Sequence, residues 1–393
     1  MSPVPSSTAG FSLVAGGPSY RLQQRLGLIK HESPYLVRRA ALSVLVTWFP
    51  LLVLSAVQGL AIGQNVRIPL LYDFAAYARS LVAIPLLIVA EGPIEWHLTK
   101  VAAHFLQAGL VPEHSYPDYE SALKRAARRR DSVLAEVVLL GLALVSAFVV
   151  RNEFPFNFST WRSLLVDSTP MRTWAGWWYL CVTTPVFQFL FWRWLWRLSI
   201  WYELLWRMSR LDLRLIPTHP DREAGLGFVG DGQRFFWSII VAYSVAAAGV
   251  LSNEILFAGV SLKRYEFALA GYVVVVLLVF LGPLLMFTPA LIKAKLESLH
   301  DYGAFAVTHN LMFHGKWVQG HNPKGEPALG TPDISSLADL GNVYEVLARM
   351  RPIPFDPSDA IALALAAVIP MTPLLLTVMP LGQIIDLVSK TLI

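Results

Sequence analysis

Residues Phe267–Ile292 read FALAGYVVVVLLVFLGPLLMFTPALI, 26 positions without a charge. At 1.5 Å per residue a helix of this length reaches about 39 Å, more than the roughly 30 Å of a bilayer's hydrocarbon core. Ala360–Ile385 is a second run of the same length, also uncharged. Five shorter runs complete the pattern. Ala41–Ile62 and Thr173–Trp192 carry no charge, Phe74–Ala90 contains Arg79, Val133–Val150 contains Glu136, and Phe235–Leu256 contains Glu254. The expected fold is all-α, a polytopic helical membrane protein with about seven transmembrane helices.

Composition agrees. Of 393 residues, 55% are hydrophobic and 15% charged, with a mean hydropathy of +0.51. An average soluble domain carries about 25% charged residues. An ordinary soluble enzyme and a disordered chain are both excluded. The single cysteine, Cys181, rules out an intramolecular disulfide framework and a cysteine-based zinc site. The net charge of +5 is read as orientation rather than nucleic-acid binding, because the excess sits in loops between apolar runs.

Lys and Arg divide unevenly among those loops. The N-terminal tail and the loops after runs two, four and six hold 24 of the 32, and the alternate loops with the C-terminus hold 8, counting Arg79 near the start of run two. The runs are drawn on hydropathy alone, so this alternation supports them independently. It predicts N-in and C-out by the positive-inside rule. Residues 1–40 form a basic cytoplasmic tail, with Met1–Tyr20 loose. Its apolar run starts only at Ala40 and no small-residue cleavage site precedes it, so no signal peptide is expected. Residues 41–393 form the transmembrane domain, with helical cytoplasmic loops at 96–132 (His97–Leu110, then Asp118–Arg130) and 293–358 (Lys293–Leu311, then Ile334–Met350).

The most unusual local sequence is the loop Pro217-Thr218-His219-Pro220-Asp221-Arg222-Glu223-Ala224-Gly225-Leu226-Gly227-Phe228-Val229-Gly230. It spells G-x-G-x-x-G, but no strand precedes it, so the dinucleotide reading fails on context. Two readings stay open. The loop is a turn with Asp221 or Thr218 as a cap, or it holds an anion or lipid headgroup. The second reading uses His219, Asp221, Arg222, Arg234 and the amides of Gly225 and Gly227. The fourth run passes into a helix dense in Trp and Arg (Trp192, Arg193, Trp194, Trp196, Arg197, Trp201, Trp206, Arg207, Arg210), suited to the headgroup layer. Arg207 and Arg210 join the headgroup candidates, and Glu203 sits four residues before Arg207, placed to pair with it.

Ionisable residues inside spans are functional candidates. Glu91, Glu95 and Glu136 are the intramembrane acids, and the plainer reading pairs Glu95 and Glu136 with arginines at the interface. Tyr243, Asn253 and Glu254 on the fifth run, with Pro370, Thr372, Pro373 and Thr377 on the proline-broken seventh, are candidate lining of a conduit. His300, His309 and His314 lack the i, i+4 spacing of a helical metal site, and no nucleophile-elbow, kinase or P-loop signature occurs. No catalytic residue, cofactor or metal is expected.

The run Pro217–Asp221 with Gly225–Phe228, together with Leu337-Ala338-Asp339-Leu340 and Arg351-Pro352-Ile353-Pro354-Phe355, resembles an uncharacterised family of bacterial polytopic membrane proteins. The resemblance covers the fourth to seventh runs and implies a multi-pass protein of the bacterial inner membrane, with no activity attached. The topology alone is similar to that of insect chemoreceptor channels, without a shared motif. The leading functional reading is a channel- or transporter-like conduit for a small solute or ion. The alternatives are a sensor or scaffold binding a cytoplasmic partner, and a lipid-acting enzyme at the His219 loop. Expected partners are anionic lipid headgroups, a second copy of the chain or a cytoplasmic protein, and no nucleic acid.

Overall fold

The computed structural model describes residues 11–29, 35–63, 65–150, 158–166, 169–321 and 332–377. Helices account for nearly all regular structure. The exception is an antiparallel hairpin, β1 (Ser163–Val166) and β2 (Thr169–Arg172), with Ser163 opposite Arg172. It lies between the third and fourth apolar runs, where no strand was expected.

The helices are α1 (Pro18–Arg25), α2 (Leu36–Thr47), α3 (Phe49–Val57), α4 (Phe74–Tyr77), α5 (Ile84–Val89), α6 (Glu91–Gln107), α7 (Tyr116–Arg130), α8 (Val133–Val150), α9 (Trp174–Trp178), α10 (Thr184–Met208), α11 (Gly227–Arg234), α12 (Trp237–Ala258), α13 (Glu266–Leu281), α14 (Thr288–Phe313), α15 (Pro332–Ala348) and α16 (Pro357–Val368). Many are segments of one longer rod. Proline sets several of the joints, because it donates no backbone N–H and crowds the preceding turn. Pro85 in the first turn of α5 and Pro185 in the first turn of α10 each follow a π-helical stretch, Ala78–Ala83 and Tyr179–Thr183. The widened turn before each proline absorbs its missing hydrogen bond. Pro283 and Pro289 bracket a 3-10 segment, Gly282–Phe287, between α13 and α14.

Five of these rods are long and apolar enough to cross a membrane: Leu36–Val57, Phe74–Gln107, Gly227–Ala258, Leu262–Val318 and Pro357–Thr377. A sixth arises if α8 and the segment Glu113–Arg130, bent by 47° against each other, count as one span. The fourth expected run lies in the rod Trp174–Met208, which is long enough but falls short on hydropathy. Its apolar half is built from Trp, Tyr and Phe, and Arg193 and Arg197 follow within it. The described residues therefore form a helical bundle with five or six helices long and apolar enough to span a membrane. The expected Lys293–Leu311 and Ile334–Met350 helices appear as the end of α14 and as α15, and the 97–110 and 118–130 pair appears as α6 and α7. Residues 378–393, which include Pro380 and the rest of the seventh run, lie outside the described residues.

Burial is arranged for lipid on the flanks. Phe267 on α13 and Leu134 on α8 are 87% and 73% exposed, amid many other outward-facing Val and Leu side chains. Such a surface is unstable in water and ordinary in hydrocarbon. The main core joins α5, α6, α10 and α12 through Ile84, Leu87, Leu98, Trp194, Trp201 and Ile239. A second core lies toward the Lys/Arg-poor end, where Leu51, Ile68, Leu70, Trp161 and Tyr179 close over the bundle beside the hairpin.

Candidate functional site

The densest buried charge in the bundle gathers around Glu91. This residue opens α6 at the Lys/Arg-rich end of the second apolar run, midway along the rod Phe74–Gln107. Gly92 beside it allows α2 to come close, since a Cβ there would stand 2.5 Å from the Leu36 side chain. The approach brings Arg39, in the first turn of α2, within 2.6 Å of Glu91 Oε2. From the other side α10 supplies Arg193 and Arg197, one turn apart on one face. Arg197 Nη1 donates to Glu91 Oε1 at 2.9 Å, while Arg193 Nη1 stands 4.0 Å from the same oxygen. Glu91 is 2% exposed, and Arg39, Arg193 and Arg197 are 8%, 6% and 4% exposed.

Charge and hydrogen bonding are both unbalanced here. Three guanidiniums face one carboxylate directly. Glu136 on α8 acts on Arg193 at longer range, which makes the count three to two. Among the described residues Arg197 Nη2 is buried with no hydrogen-bond partner, and so is the Tyr243 hydroxyl on α12, which lies within electrostatic range of Arg197. Trp194 forms part of the wall. Its Nε1 donates to the Leu87 carbonyl at 3.1 Å, and the Arg197 guanidinium lies 4.8 Å from its ring centre.

The other two acids expected inside spans have a different task. Glu95, one turn along from Glu91, accepts the backbone N–H groups of Leu13 and Val14 at 2.9 and 2.8 Å. Glu136 accepts the Ser19 amide at 2.6 Å and its hydroxyl at 2.9 Å. Asp131 accepts the Gly17 amide, and Arg130 donates to the Ser12 carbonyl. Neither Glu95 nor Glu136 pairs with an arginine, as the plainer reading had expected. They bind the N-terminal segment instead. The expected loose start therefore does not reach residues 11–19. Phe11, Leu13 and Val14 are buried, with Phe11 against Trp201. This segment packs one helical turn from Glu91 and from Arg197.

The Pro217–Gly230 loop is knitted to the Arg351–Asp359 turn. Asp221 accepts the amides of Glu223 (2.8 Å), Gly225 (3.2 Å) and Gly227 (3.1 Å), and His219 Nδ1 lies 2.9 Å from it. The two glycine amides expected to cradle an external anion are thus occupied by the loop's own carboxylate. Burial alone would raise Asp221, but these donors hold it below the usual aspartate range. Arg222 and Ala224 adopt φ of 60° and 55°, and the Arg222 carbonyl accepts the Arg351 amide at 2.7 Å. Arg234 pairs with Asp359, in the first turn of α16. Glu223 is buried 3.2 Å from Arg351. Burial, against the pull of Arg351 and with the push of Asp221, Asp359 and Asp356, raises its carboxyl to about 7. The surroundings are acidic, so the headgroup site expected at His219, Asp221, Arg222, Gly225, Gly227 and Arg234 is not assembled. Arg207 donates twice to Glu203 at 3.1 Å, as the spacing predicted, and Arg210 lies over the Trp206 ring.

The expected conduit residues are scattered. Tyr243 joins the Glu91 neighbourhood. Asn253 donates to Asp73 at 2.8 Å and accepts the Phe74 amide at 3.1 Å, while Glu254 accepts the Tyr265 hydroxyl. Pro370, Thr372, Pro373 and Thr377 lie in a 3-10 stretch, Ile369–Thr377, where both threonines bond back to carbonyls three residues earlier. Among the described residues no group of His, Cys, Asp and Glu has metal-binding geometry. Comparison with family models, with curated proteins and with solved structures finds no match.

Sequence reasoning marked Glu91 but missed its partners. In sequence Arg193 and Arg197 fit headgroup anchors, and Arg39 is one more positive charge in a tail. The available signal was the i, i+4 arginine pair placed inside an aromatic helix, where one arginine at a span's end would have sufficed for anchoring.

Proposed function

We propose that the chain is a seven-span membrane protein, N-in and C-out, of the bacterial inner membrane, working as a conduit for a small solute or ion. Its working site is the Glu91, Arg39, Arg193 and Arg197 cluster. One observation carries this reading: four ionised side chains converge in the interior of a membrane bundle. Buried charges are expensive wherever they sit in such a bundle, and in membrane proteins they mark solute and ion pathways. The conduit wall then belongs to the first, second, fourth and fifth runs, with Tyr243 the one residue kept from the earlier lining. Topology supports the orientation, since the cluster lies at the Lys/Arg-rich end, which the positive-inside rule puts in the cytoplasm.

The test is flux. Purified protein in proteoliposomes should release or take up at least one member of a broad panel of ions and small solutes faster than empty vesicles. Arg197→Lys should slow it several-fold. Flux equal to that of empty vesicles across the panel removes the conduit. Reporters fused at the N-terminus and in the turn at Lys263 should report opposite compartments.

A second reading has its own observation. The α14 rod runs past span length and pairs with α15. Leu311, Met312 and Val318 stay exposed on it, as a scaffold for a cytoplasmic partner would require.

A further inference from the structure

We propose that Arg39, Arg193 and Arg197, with the Tyr243 hydroxyl, form a binding site for a phosphate-like oxyanion, either free phosphate or the phosphate of a lipid headgroup. The proposal rests on the membrane-conduit reading and names the class of solute.

Charge is the first ground. Arg39 and Arg197 each engage a different oxygen of Glu91. Arg193 adds a third guanidinium with no acceptor at hydrogen-bond distance, only the 4.0 Å approach to Glu91. Even with Glu136 counted, one positive charge is left over in a buried place. An uncompensated buried charge is strongly destabilising. A bound anion removes that cost.

Donor geometry is the second ground. Arg197 offers Nη1 to Glu91 and leaves Nη2 without an acceptor, and the Tyr243 hydroxyl is likewise buried and unpartnered. Buried polar atoms are normally satisfied, so two orphan donors within reach of one excess cation describe the complement of an acceptor-rich anion. A tetrahedral oxyanion supplies several acceptors at once, and guanidinium is the group that matches it in two-point contacts. Lysine, a point charge, would be the weaker choice, and none of the three positions holds one. The aromatic walls lower the local dielectric, so each contact counts for more than it would in water.

Third, residues 11–14 pack one helical turn from the cluster, on both α6 and α10. Leu13 and Val14 are held by Glu95, and Phe11 packs on Trp201. The anchors of this segment, Glu95 and Trp201, are each four residues beyond a member of the cluster. The loop that spells a glycine-rich anion cradle is excluded as the site, because Asp221 fills it.

The full chain is placed in nanodiscs of phosphatidylcholine alone and of phosphatidylcholine with phosphatidylglycerol. Inorganic phosphate is titrated against chloride at matched ionic strength while thermal unfolding is followed. Lipid retained after release from the mixed discs is identified by native mass spectrometry. A free-oxyanion site predicts a saturable rise in melting temperature with phosphate in the phosphatidylcholine discs, and at least a tenfold weaker apparent affinity in Arg193→Gln. A headgroup site predicts retained phosphatidylglycerol, reduced at least fivefold in Arg193→Gln. Either result supports the site. Neither response in the wild type, or equal responses in wild type and Arg193→Gln, overturns it. If Arg193→Gln does not give monodisperse protein, Tyr243→Phe replaces it with an expected threefold or greater weakening under the same criterion. Binding without flux would remove the conduit and keep the site. Flux indifferent to phosphate and to these variants would do the reverse.

Discussion

Asp73 and Glu91 flank the second apolar run, Phe74–Ala90, eighteen residues apart, which is about 27 Å along a helix. Both are buried carboxylates, and the chain treats them in opposite ways. Asp73 has two donors on each oxygen. Oδ1 accepts the Ala76 amide (2.9 Å) and Asn253 (2.8 Å), while Oδ2 accepts Trp161 Nε1 (2.7 Å) and Arg162 (2.6 Å). One cation meets one anion and neutral groups do the rest. Arg162 keeps an unpartnered Nε, yet its guanidinium lies over the Tyr179 ring at 4.4 Å. Glu91 instead meets three cations. The contrast separates two uses of a buried charge. A balanced cluster fastens helices together, here the start of the second rod, α12 and the loop before β1. A cluster with surplus charge is finished only by something from outside.

The largest effect should follow from breaking the balanced cluster. Asp73→Ala leaves Arg162, Trp161 and Asn253 without their shared acceptor. Loss of one partner from a buried pair costs about 3–5 kcal/mol. Thermal unfolding in detergent should show a fall of that order, and no added anion should restore it. Glu91→Gln should also destabilise, but millimolar phosphate should recover part of the loss. If phosphate rescues both variants equally, or neither, the two clusters do not differ in kind.

Glu223 completes the series with the opposite imbalance, one near cation among several acids. Its folded value of about 7 lies above the ordinary 4.5. The native state therefore holds more protons than the unfolded state between these values, and stability falls as pH rises through that window. The shift corresponds to a loss of about 3 kcal/mol, as an order of magnitude. Glu223→Gln should flatten the dependence of the melting temperature on pH between about 4.5 and 7. An unchanged slope would mean that some other group is responsible.

Much of the helical plan is legible in the sequence because it is local. Hydropathy finds the Phe267–Ile292 run, proline and glycine mark the break between α6 and α7, and four-residue spacing predicts the Glu203–Arg207 pair. Contacts made by folding are not legible. Glu91 finds Arg39, 52 positions earlier, and Arg197, 106 positions later, and no periodicity carries that information. The Gly225 and Gly227 amides offer an anion cradle in sequence, but no local pattern shows that Asp221 folds back to fill it. Asn253 looked like a conduit residue because a polar side chain in an apolar run has no other local explanation. Its partner, Asp73, is 180 positions away. The fourth run shows the reverse difficulty. Its Trp and Tyr score as nearly polar on a hydropathy scale although their rings bury large apolar area.

A smaller effect tests the segment beside the surplus-charge cluster. Glu95→Gln replaces a carboxylate that accepts two backbone amides by a neutral acceptor. Charge-assisted bonds of this kind contribute about 1.5–3 kcal/mol, and part of that survives in the amide. Hydrogen exchange should therefore rise by about tenfold at Leu13 and Val14, while α10 and the Asp73 cluster keep their protection. Equal acceleration throughout would mean global destabilisation rather than release of the segment.

The smallest effect on stability is expected at Arg193, and its smallness is the informative part. A buried arginine in a balanced cluster would cost several kcal/mol to remove. Arg193 is attracted by Glu91 and Glu136, repelled by Arg197 and Arg39, and penalised by its own burial. These terms oppose one another, so in phosphate-free phosphatidylcholine discs Arg193→Gln should unfold within about 1 kcal/mol of the wild type, with stabilisation as acceptable as loss. Arg162→Gln, which empties the cation from the Asp73 cluster, is the control and should cost several times more under the same conditions. If Arg193→Gln proves as damaging as Arg162→Gln, its charge is already compensated within the fold, and the surplus that distinguishes the two ends of the second run is not there.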